Sequence, residues 1–228
     1  MGSGGPTIVL MGEAPKIKFC GITSLPDAQL ASEAGAWAVG LIFWPHSARH
    51  CELQDAAEIA AALKRRVEVV GVFVNPTLDE VAGIADAVGL TMLQLHGEEG
   101  PVFCGEAARR TGCKVIKAAR VRSRADIRSL APFHTDYHLL DSYTPDVRGG
   151  SGETFAWEMA RNHRGSTPMI LSGGLNPANV AEAISVVRPF AVDVATGVER
   201  APGRKDPDKL RAFAAAVTSS AAPQLSAP

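Results

Sequence analysis

Short apolar segments alternate with amphipathic segments along most of the chain. The apolar segments predict eight strands, at residues 17–22, 38–43, 68–74, 92–96, 114–119, 137–141, 168–172 and 191–195. Several of them, such as residues 69–74 and 169–171, are apolar on both faces. This pattern is typical of parallel strands that are covered by helices.

Helix start signals follow most of the predicted strands. Capping-box spacing occurs at Ser24–Asp27, Thr77–Glu80 and Ser123–Asp126, and a capping residue precedes a proline at Asn176-Pro177 and Asp206-Pro207. Eight strand–helix units in 228 residues predict an α/β protein that forms a single (β/α)8 barrel, the TIM-barrel architecture. No Gly-x-Gly-x-x-Gly follows the first strand, which weighs against a dinucleotide fold.

The pattern also predicts the domain limits. We expect a flexible amino-terminal extension at residues 1–15, a barrel domain at residues 16–217 and a disordered tail at residues 218–228. The extension lacks the charged and apolar regions of a signal peptide, and no apolar run approaches the ~20 residues that span a bilayer.

Charge and cysteine content exclude several classes of partner. The chain has 23 basic and 24 acidic residues, so no net field favours nucleic acid or an anionic membrane, and any anion must be bound locally. The four cysteines form no Cys-x-x-Cys pair and no zinc-ligand spacing with histidine. We therefore expect no metal, reduced thiols and a cytoplasmic location, with Cys51, Cys104 and Cys113 inert.

Candidate functional residues lie at the carboxyl ends of the predicted strands, where a parallel barrel binds its ligands. Cys20 ends the first strand, and it is either a reactive thiol or a small buried filler. The apolar flanks of Asp141 favour a general acid, with a salt-bridged carboxylate as the alternative. Arg49 could clamp a carboxylate or lie on the surface, and His96 could contact substrate or be structural.

Two glycine-containing loops predict a phosphate site. In the first, Gly173 and Gly174 lead from the seventh strand toward a capped helix, and in the second, Thr196 and Gly197 follow the eighth strand. These loops are the usual phosphate site of this barrel type, because their backbone N–H groups can face an anion. Glycines that only serve tight turns are the alternative.

A longer loop at residues 142–154 contains three glycines and no lysine after them, so it does not resemble a P-loop. Its length and composition favour a mobile lid, with a plain flexible linker as the alternative.

Taken together, these segments resemble the phosphoribosylanthranilate isomerase family of tryptophan biosynthesis. The similar motifs are KFCGIT at 18–23, GVFVN at 71–75, QLHGE at 94–98, LLD at 139–141, GGSG at 149–152, LSGGLNP at 171–177 and VDVATGVE at 192–199. The resemblance covers residues 16–217 in order. It implies Cys20 as general base, Asp141 as general acid, Arg49 as partner of the anthranilate carboxylate and the two glycine loops as phosphate binders.

The resemblance also completes the expected site. We expect Gln94, His96 and Asp193 to bind substrate as well, with a small phosphorylated molecule as the partner, no cofactor, and a monomer or homodimer. Three positions depart from the usual family pattern: Phe19 replaces isoleucine, Glu153 replaces a basic or polar residue, and Ala156 replaces aspartate.

Two other functions stay open. A sugar-phosphate isomerase of the histidine pathway would be expected to have a carboxylate in place of Cys20. A phosphate-binding barrel without catalysis is the second alternative, although the loss of catalysis would be expected to have erased Cys20 or Asp141.

Overall fold

The computed structural model describes residues 14–141, 157–163 and 165–220. The predicted lid at residues 142–154, Glu153, Ala156 and nearly all of the predicted extension and tail lie outside these ranges.

Eight parallel strands close into one barrel in the order of the chain. They are β1 Lys16–Cys20, β2 Ala38–Ile42, β3 Glu68–Phe73, β4 Met92–Leu95, β5 Lys114–Arg120, β6 Tyr137–Asp141, β7 Met169–Ser172 and β8 Ala191–Val194. The barrel closes where β1 pairs with β8, which sets Lys18 opposite Asp193. The predicted fold class is confirmed, and each predicted strand overlaps an observed one.

Helices cover the outside of the barrel. They are α1 Leu25–Glu33, α2 Leu53–Leu63, α3 Leu78–Val88, α4 Pro101–Thr111, α5 Arg124–Arg128, α6 Val180–Val187 and α7 Pro207–Ser219, with a further helical turn at residues 157–160. The capping box of Thr77 and Glu80 is present, and Asp206 caps α7 through the N–H groups of Asp208 and Lys209.

One predicted helix start and one predicted capping box differ from the structure. Helix α6 begins at Val180, because the side chains of Asn176 and Asn179 hydrogen-bond within the preceding segment and hold it as a turn. At the start of α1, Ser24 accepts from the N–H of Asp27, but the Asp27 carboxylate accepts from the N–H of Lys205 instead of returning to Ser24. The short side chain of Asp27 therefore joins two distant parts of the chain.

The core has two layers, because successive side chains of each strand point alternately into the barrel and toward the helices. Inside the barrel, one layer contains Val70, Met92, Ile116, Leu139 and Ile170. The other layer lies between strands and helices, where Phe19 of β1 meets Phe213 of α7 edge to face, with ring centroids 6.0 Å apart. Because Phe19 points outward, Lys18 and Cys20 point into the barrel.

A small hairpin follows β8 and has no counterpart in the predicted elements. It consists of β9, Glu199–Ala201, and β10, Arg204–Lys205, after a 3-10 turn at Thr196–Val198. The hydroxyl of Thr23 donates to the carbonyl of Gly203 at 2.6 Å, so the hairpin is attached to the loop after β1. It brings Glu199 and Lys205 to the mouth of the barrel. Within the described ranges, no helix is both long enough and apolar enough to cross a membrane.

Candidate active site

A cavity of about 510 Å³ opens at the carboxyl ends of the strands. Six predicted side chains line it: Cys20, Arg49, Gln94, His96, Asp141 and Asp193. Gly173, Gly174 and Thr196 line it as well, so the two glycine loops and the candidate acid and base face one space. Its volume lies within the range of small-molecule sites.

Cys20 lies beside a buried ion pair. The ammonium of Lys18, which is fully buried, is 2.7 Å from Oδ1 of Asp193, and the hydroxyl of Ser172 donates to Oδ2 of Asp193 at 2.8 Å. Burial alone would lower the pKa of Lys18, but Asp193 and the neighbouring thiol outweigh it and raise that pKa, so Lys18 stays charged. Asp193 is thus occupied by two protein partners.

The pKa of the Cys20 thiol reflects opposing effects. Burial raises it above its ordinary value, the Lys18 ammonium opposes this increase, and the Asp193 carboxylate adds to it. Lys205 is a weaker opposing cation. The proton affinity of Cys20 therefore depends on charged neighbours from β1, β8 and β10.

The position of the thiol depends on a glycine in the neighbouring strand. Gly40 of β2 pairs with Cys20. A Cβ at Gly40 would lie 2.7 Å from Sγ of Cys20 and 3.1 Å from Nζ of Lys18. Glycine is therefore the residue that leaves room for both side chains.

Asp141 is connected to a short polar chain on the other side of the cavity. Its Oδ2 lies 3.6 Å from Nε2 of His96, and Nδ1 of His96 lies 3.0 Å from Nε2 of Gln94. The Gln94 amide donates to Nδ1, so the neutral imidazole carries its proton on Nε2, toward Asp141. Oε1 of Gln94 is buried without a hydrogen-bond partner among the described residues.

Arg49 contacts Glu199 through two of its nitrogens. Nε lies 2.8 Å from Oε1, and Nη2 lies 2.8 Å from Oε2. Burial would raise the pKa of Glu199, but the Arg49 hydrogen bond and the Lys205 ammonium outweigh burial and keep that pKa below its ordinary value. The ammonium of Lys205 donates to Oε1 of Glu199 at 3.1 Å, to the carbonyl of Cys20 at 2.6 Å and to the carbonyl of Ala195 at 3.1 Å.

The glycine loops have unequal parts in the cavity. Gly173 and Gly174 have φ values of 101° and 65°, in the left-handed region that favours glycine. Gly197 lies behind the lining, where a Cβ would overlap the carbonyl oxygen of Leu175. The absence of a side chain at Gly197 therefore lets the two loops pack together, which positions Thr196 at the cavity.

The sequence analysis did not predict Lys18, Glu199 or Lys205 as functional residues. The position of Lys18 beside Cys20 could have been predicted, since Lys18 lies two residues before Cys20 and therefore on the same face of a strand. The positions of Glu199 and Lys205 could not, because they depend on a hairpin whose strands are only three and two residues long.

The remaining cysteines are buried and unpaired. Burial raises the pKa of Cys51 to about 12 and also raises the pKa values of Cys104 and Cys113. In the described part of the chain, no cluster of three or more His, Cys, Asp or Glu residues could hold a metal ion.

Comparisons with known proteins agree on one family. The family model described as N-(5'phosphoribosyl)anthranilate (PRA) isomerase matches residues 17–216. A relative from Citrifermentans bemidjiense, named N-(5'-phosphoribosyl)anthranilate isomerase, is 48% identical over 196 residues, which are 86% of this chain and 93% of the relative. A relative of the same name from Geobacter sulfurreducens is 46% identical over 198 residues, covering 87% and 96% of the two chains.

Solved structures give the same result. The phosphoribosyl anthranilate isomerase of Thermotoga maritima superposes with a TM-score of 0.81 at 44% identity, over 90% of this chain and 99% of that one. A phosphoribosyl anthranilate isomerase solved with reduced 1-(o-carboxyphenylamino)-1-deoxyribulose 5-phosphate has a TM-score of 0.78 at 41% identity, with the same coverage.

Proposed function

The chain belongs to the N-(5'-phosphoribosyl)anthranilate isomerase family of tryptophan biosynthesis, and we propose which residues of its cavity perform the family reaction. The reaction is an aldose–ketose isomerisation, the Amadori rearrangement of N-(5-phosphoribosyl)anthranilate to 1-(2-carboxyphenylamino)-1-deoxyribulose 5-phosphate. A reduced form of that product is the ligand of the related structure.

Asp141 is the general acid and Cys20 the general base of this proposal. Asp141 protonates the ring oxygen of the ribose, the C1–O bond breaks, and the anilino nitrogen forms an iminium with C1. The positive nitrogen acidifies the proton at C2, which Cys20 removes to give an enolamine that tautomerises to the ketone. The substrate's own iminium accepts the electron pair.

Lys18 supports the base. A thiolate in a buried position needs a nearby cation, and the Lys18 ammonium is adjacent to Sγ of Cys20. When Cys20 takes up the C2 proton, the Lys18–Asp193 ion pair remains as a neutral unit and needs no rearrangement. Asp193 therefore contributes through Lys18 in this proposal.

Gln94 lines the cavity and has an unused acceptor. Its Oε1 is buried and unpartnered among the described residues, and an unpaired buried acceptor costs roughly 1–3 kcal/mol. A ribose hydroxyl can donate to it, while the Gln94 amide keeps His96 directed toward Asp141. Both groups then orient the sugar while its ring opens.

The phosphate binds at the other end, between the loop of Gly173 and Gly174 and the loop of Thr196. Backbone N–H groups hold the anion there without adding a side chain that would compete for protons. Arg49 binds the anthranilate carboxylate at the far end. The barrel at residues 16–217 would serve as the complete catalytic domain, in a monomer or homodimer and in the cytoplasm.

The convergence of Cys20, Asp141 and the two glycine loops on one cavity is the observation that carries the proposal. The fluorescence of N-(5-phosphoribosyl)anthranilate should decay on addition of the protein. Cys20→Ala and Asp141→Asn should each lower kcat by at least about 100-fold with an unchanged circular dichroism spectrum.

Near-normal turnover in either variant would remove that residue from the mechanism. Turnover of the histidine-pathway ribonucleotide in place of the anthranilate substrate would favour the first alternative. An intact protein that binds phosphate without any fluorescence decay would favour the scaffold.

A further inference from the structure

Arg49 lines the cavity, and one edge of its guanidinium is used by Glu199. Its Nε and one N–H of Nη2 are used by Glu199, at 2.8 Å each, with a second Nε contact at 3.1 Å. A guanidinium has five N–H donors in one plane. The other three, two on Nη1 and one on Nη2, make no hydrogen bond within the described residues, and they form the end-on edge of the group.

Glu199 is itself held firmly. Its side chain is 5% exposed, and Lys205, whose side chain is fully buried, donates to its Oε1. The backbone carbonyl of Glu199 accepts from Nζ of Lys209 at 2.9 Å. The carboxylate therefore has little freedom to leave Arg49.

The stem of Arg49 is fixed as well. A Cβ at Gly21 would lie 2.7 Å from Cδ of Arg49, so the side chain packs directly over the residue that follows Cys20. Lys205 also donates to the carbonyls of Cys20 and Ala195. One ammonium thus connects Arg49, through Glu199, to the end of the base-bearing strand and to the second glycine loop.

The charges around Arg49 favour the binding of an anion. Arg49 and Lys205 contribute two positive charges and Glu199 one negative charge, which leaves one positive charge beside the cavity. A ligand carboxylate that binds the end-on edge bidentately would balance it. A ligand without a carboxylate would leave three donors of a partly buried guanidinium unpaired.

Building on the proposed function, we propose that Glu199 and Lys205 are positioning residues that fix Arg49 end-on and thereby make the site selective for a substrate with an aromatic carboxylate. Glu199 is an anion close to the place of another anion, so two opposite results are possible. If it only competed with the substrate for Arg49, its removal would strengthen carboxylate binding. If it positions Arg49, its removal weakens carboxylate binding.

The test is a fluorescence titration with two ligands. The first is the product analogue, reduced 1-(2-carboxyphenylamino)-1-deoxyribulose 5-phosphate, and the second is the same molecule without its carboxylate. The wild-type protein should bind the first at least about 100-fold more tightly. Glu199→Gln should cut that preference to below about 10-fold, while binding of the second ligand changes by less than about twofold.

Glu106→Gln is the matched control. Glu106 of α4 also holds two arginines, with contacts to Arg109 and Arg110 of 2.7 and 2.8 Å, but it lies on the outer surface. It should leave both affinities unchanged. In an Arg49→Ala background, Glu199→Gln should remove no further preference, because Glu199 acts through Arg49.

Equal weakening of both ligands by Glu199→Gln would overturn the proposal in favour of a purely structural role, and tighter binding of the carboxylate ligand would overturn it in favour of competition. Turnover of the anthranilate substrate by the wild-type protein tests the proposed function separately, because the ligand preference is measured without catalysis. In kinetics, Glu199→Gln should raise KM by a larger factor than it lowers kcat.

Discussion

At the scale of single residues, the site depends on how charges surround one buried thiol. Cys20 is next to Lys18, and Lys18 is paired with Asp193, so the two neighbours act on the pKa of Cys20 in opposite directions. Lys205 acts in the same direction as Lys18, and Arg49 is the further cation near the thiol. The thiolate is the form that can act as a base.

This arrangement predicts opposite pH shifts for two substitutions. Lys18→Met removes the nearest cation, so the pKa of Cys20 should rise and the acidic limb of kcat/KM should move to higher pH. Asp193→Asn removes the nearest anion, so the same limb should move to lower pH. Both pH–rate profiles are measured by fluorescence decay.

Lys114→Met, at an exposed position of β5, is the control and should leave the profile unchanged. A shift of the limb in the same direction for both Lys18→Met and Asp193→Asn would contradict the assignment of Lys18 as the electrostatic partner of Cys20.

Gly40 allows a second prediction at this scale. Gly40→Ala should displace the thiol or the ammonium, because its Cβ would approach both within about 3 Å, and should lower kcat by at least about tenfold. Unfolding in urea should show a loss of roughly 1–3 kcal/mol from overpacking. Gly83→Ala, where a Cβ has no neighbour within 4 Å among the described residues, should retain full activity. Equal activity of the two variants would contradict this account.

At the scale of elements, one face of β1 contributes to the site and the other face packs against the helices. Lys18 and Cys20 face the barrel, whereas Ile17 and Phe19 face the helices. Phe19 makes an edge-to-face contact with Phe213 of α7. The last helix therefore supports the strand that carries Cys20, the proposed base.

Phe213→Ala should accordingly destabilise the protein by about 3–5 kcal/mol in chemical denaturation, because a fully buried ring is lost beneath β1. Arg211→Ala on the exposed face of the same helix should change the stability very little, since its contact to Asp208 is a surface ion pair. Equal stability of the two variants would contradict the conclusion that packing of α7 stabilises β1.

At the scale of the whole molecule, closure of the barrel assembles the site. Pairing of β1 with β8 brings Lys18 to Asp193 across 175 residues of sequence, and the hairpin brings Lys205 to Cys20 across 185. These contacts exist only in the closed barrel. The active site and the global fold should therefore be lost together on unfolding.

The stability of the fold at acidic pH also belongs to the scale of the whole molecule. Nδ1 of His138 lies 2.9 Å from Nε2 of His163, and burial lowers the pKa of both. Between their ordinary pKa of about 6.5 and their lowered values, the unfolded chain binds more protons, so stability should fall as pH decreases through this range.

Thermal unfolding at pH 7 and at pH 5 measures this effect. His138→Gln should lose less stability on acidification than the wild type, and the exposed His134→Gln should behave like the wild type. An identical pH response of the wild type and His138→Gln would mean that the histidine pair does not contribute.

The sequence alone was enough to predict the eight strands, the barrel and the positions of Cys20, Asp141, Arg49 and the glycine loops, because these follow from local patterns. Strand alternation depends on neighbours one and two residues away, and the ligand-binding end of a parallel strand is set by chain direction. Capping by Thr77 and Asp206 is equally local.

Only the tertiary structure decided which groups stand next to Cys20 and Arg49. Lys18 had a local signal, but Asp193, Glu199 and Lys205 reach these side chains through barrel closure and a hairpin whose strands are only three and two residues long. Such contacts leave no periodic trace in the sequence, because each arises from the position of two distant segments in space. The chain thus encodes its candidate reactive groups locally, and the fold determines their charged surroundings and their orientation.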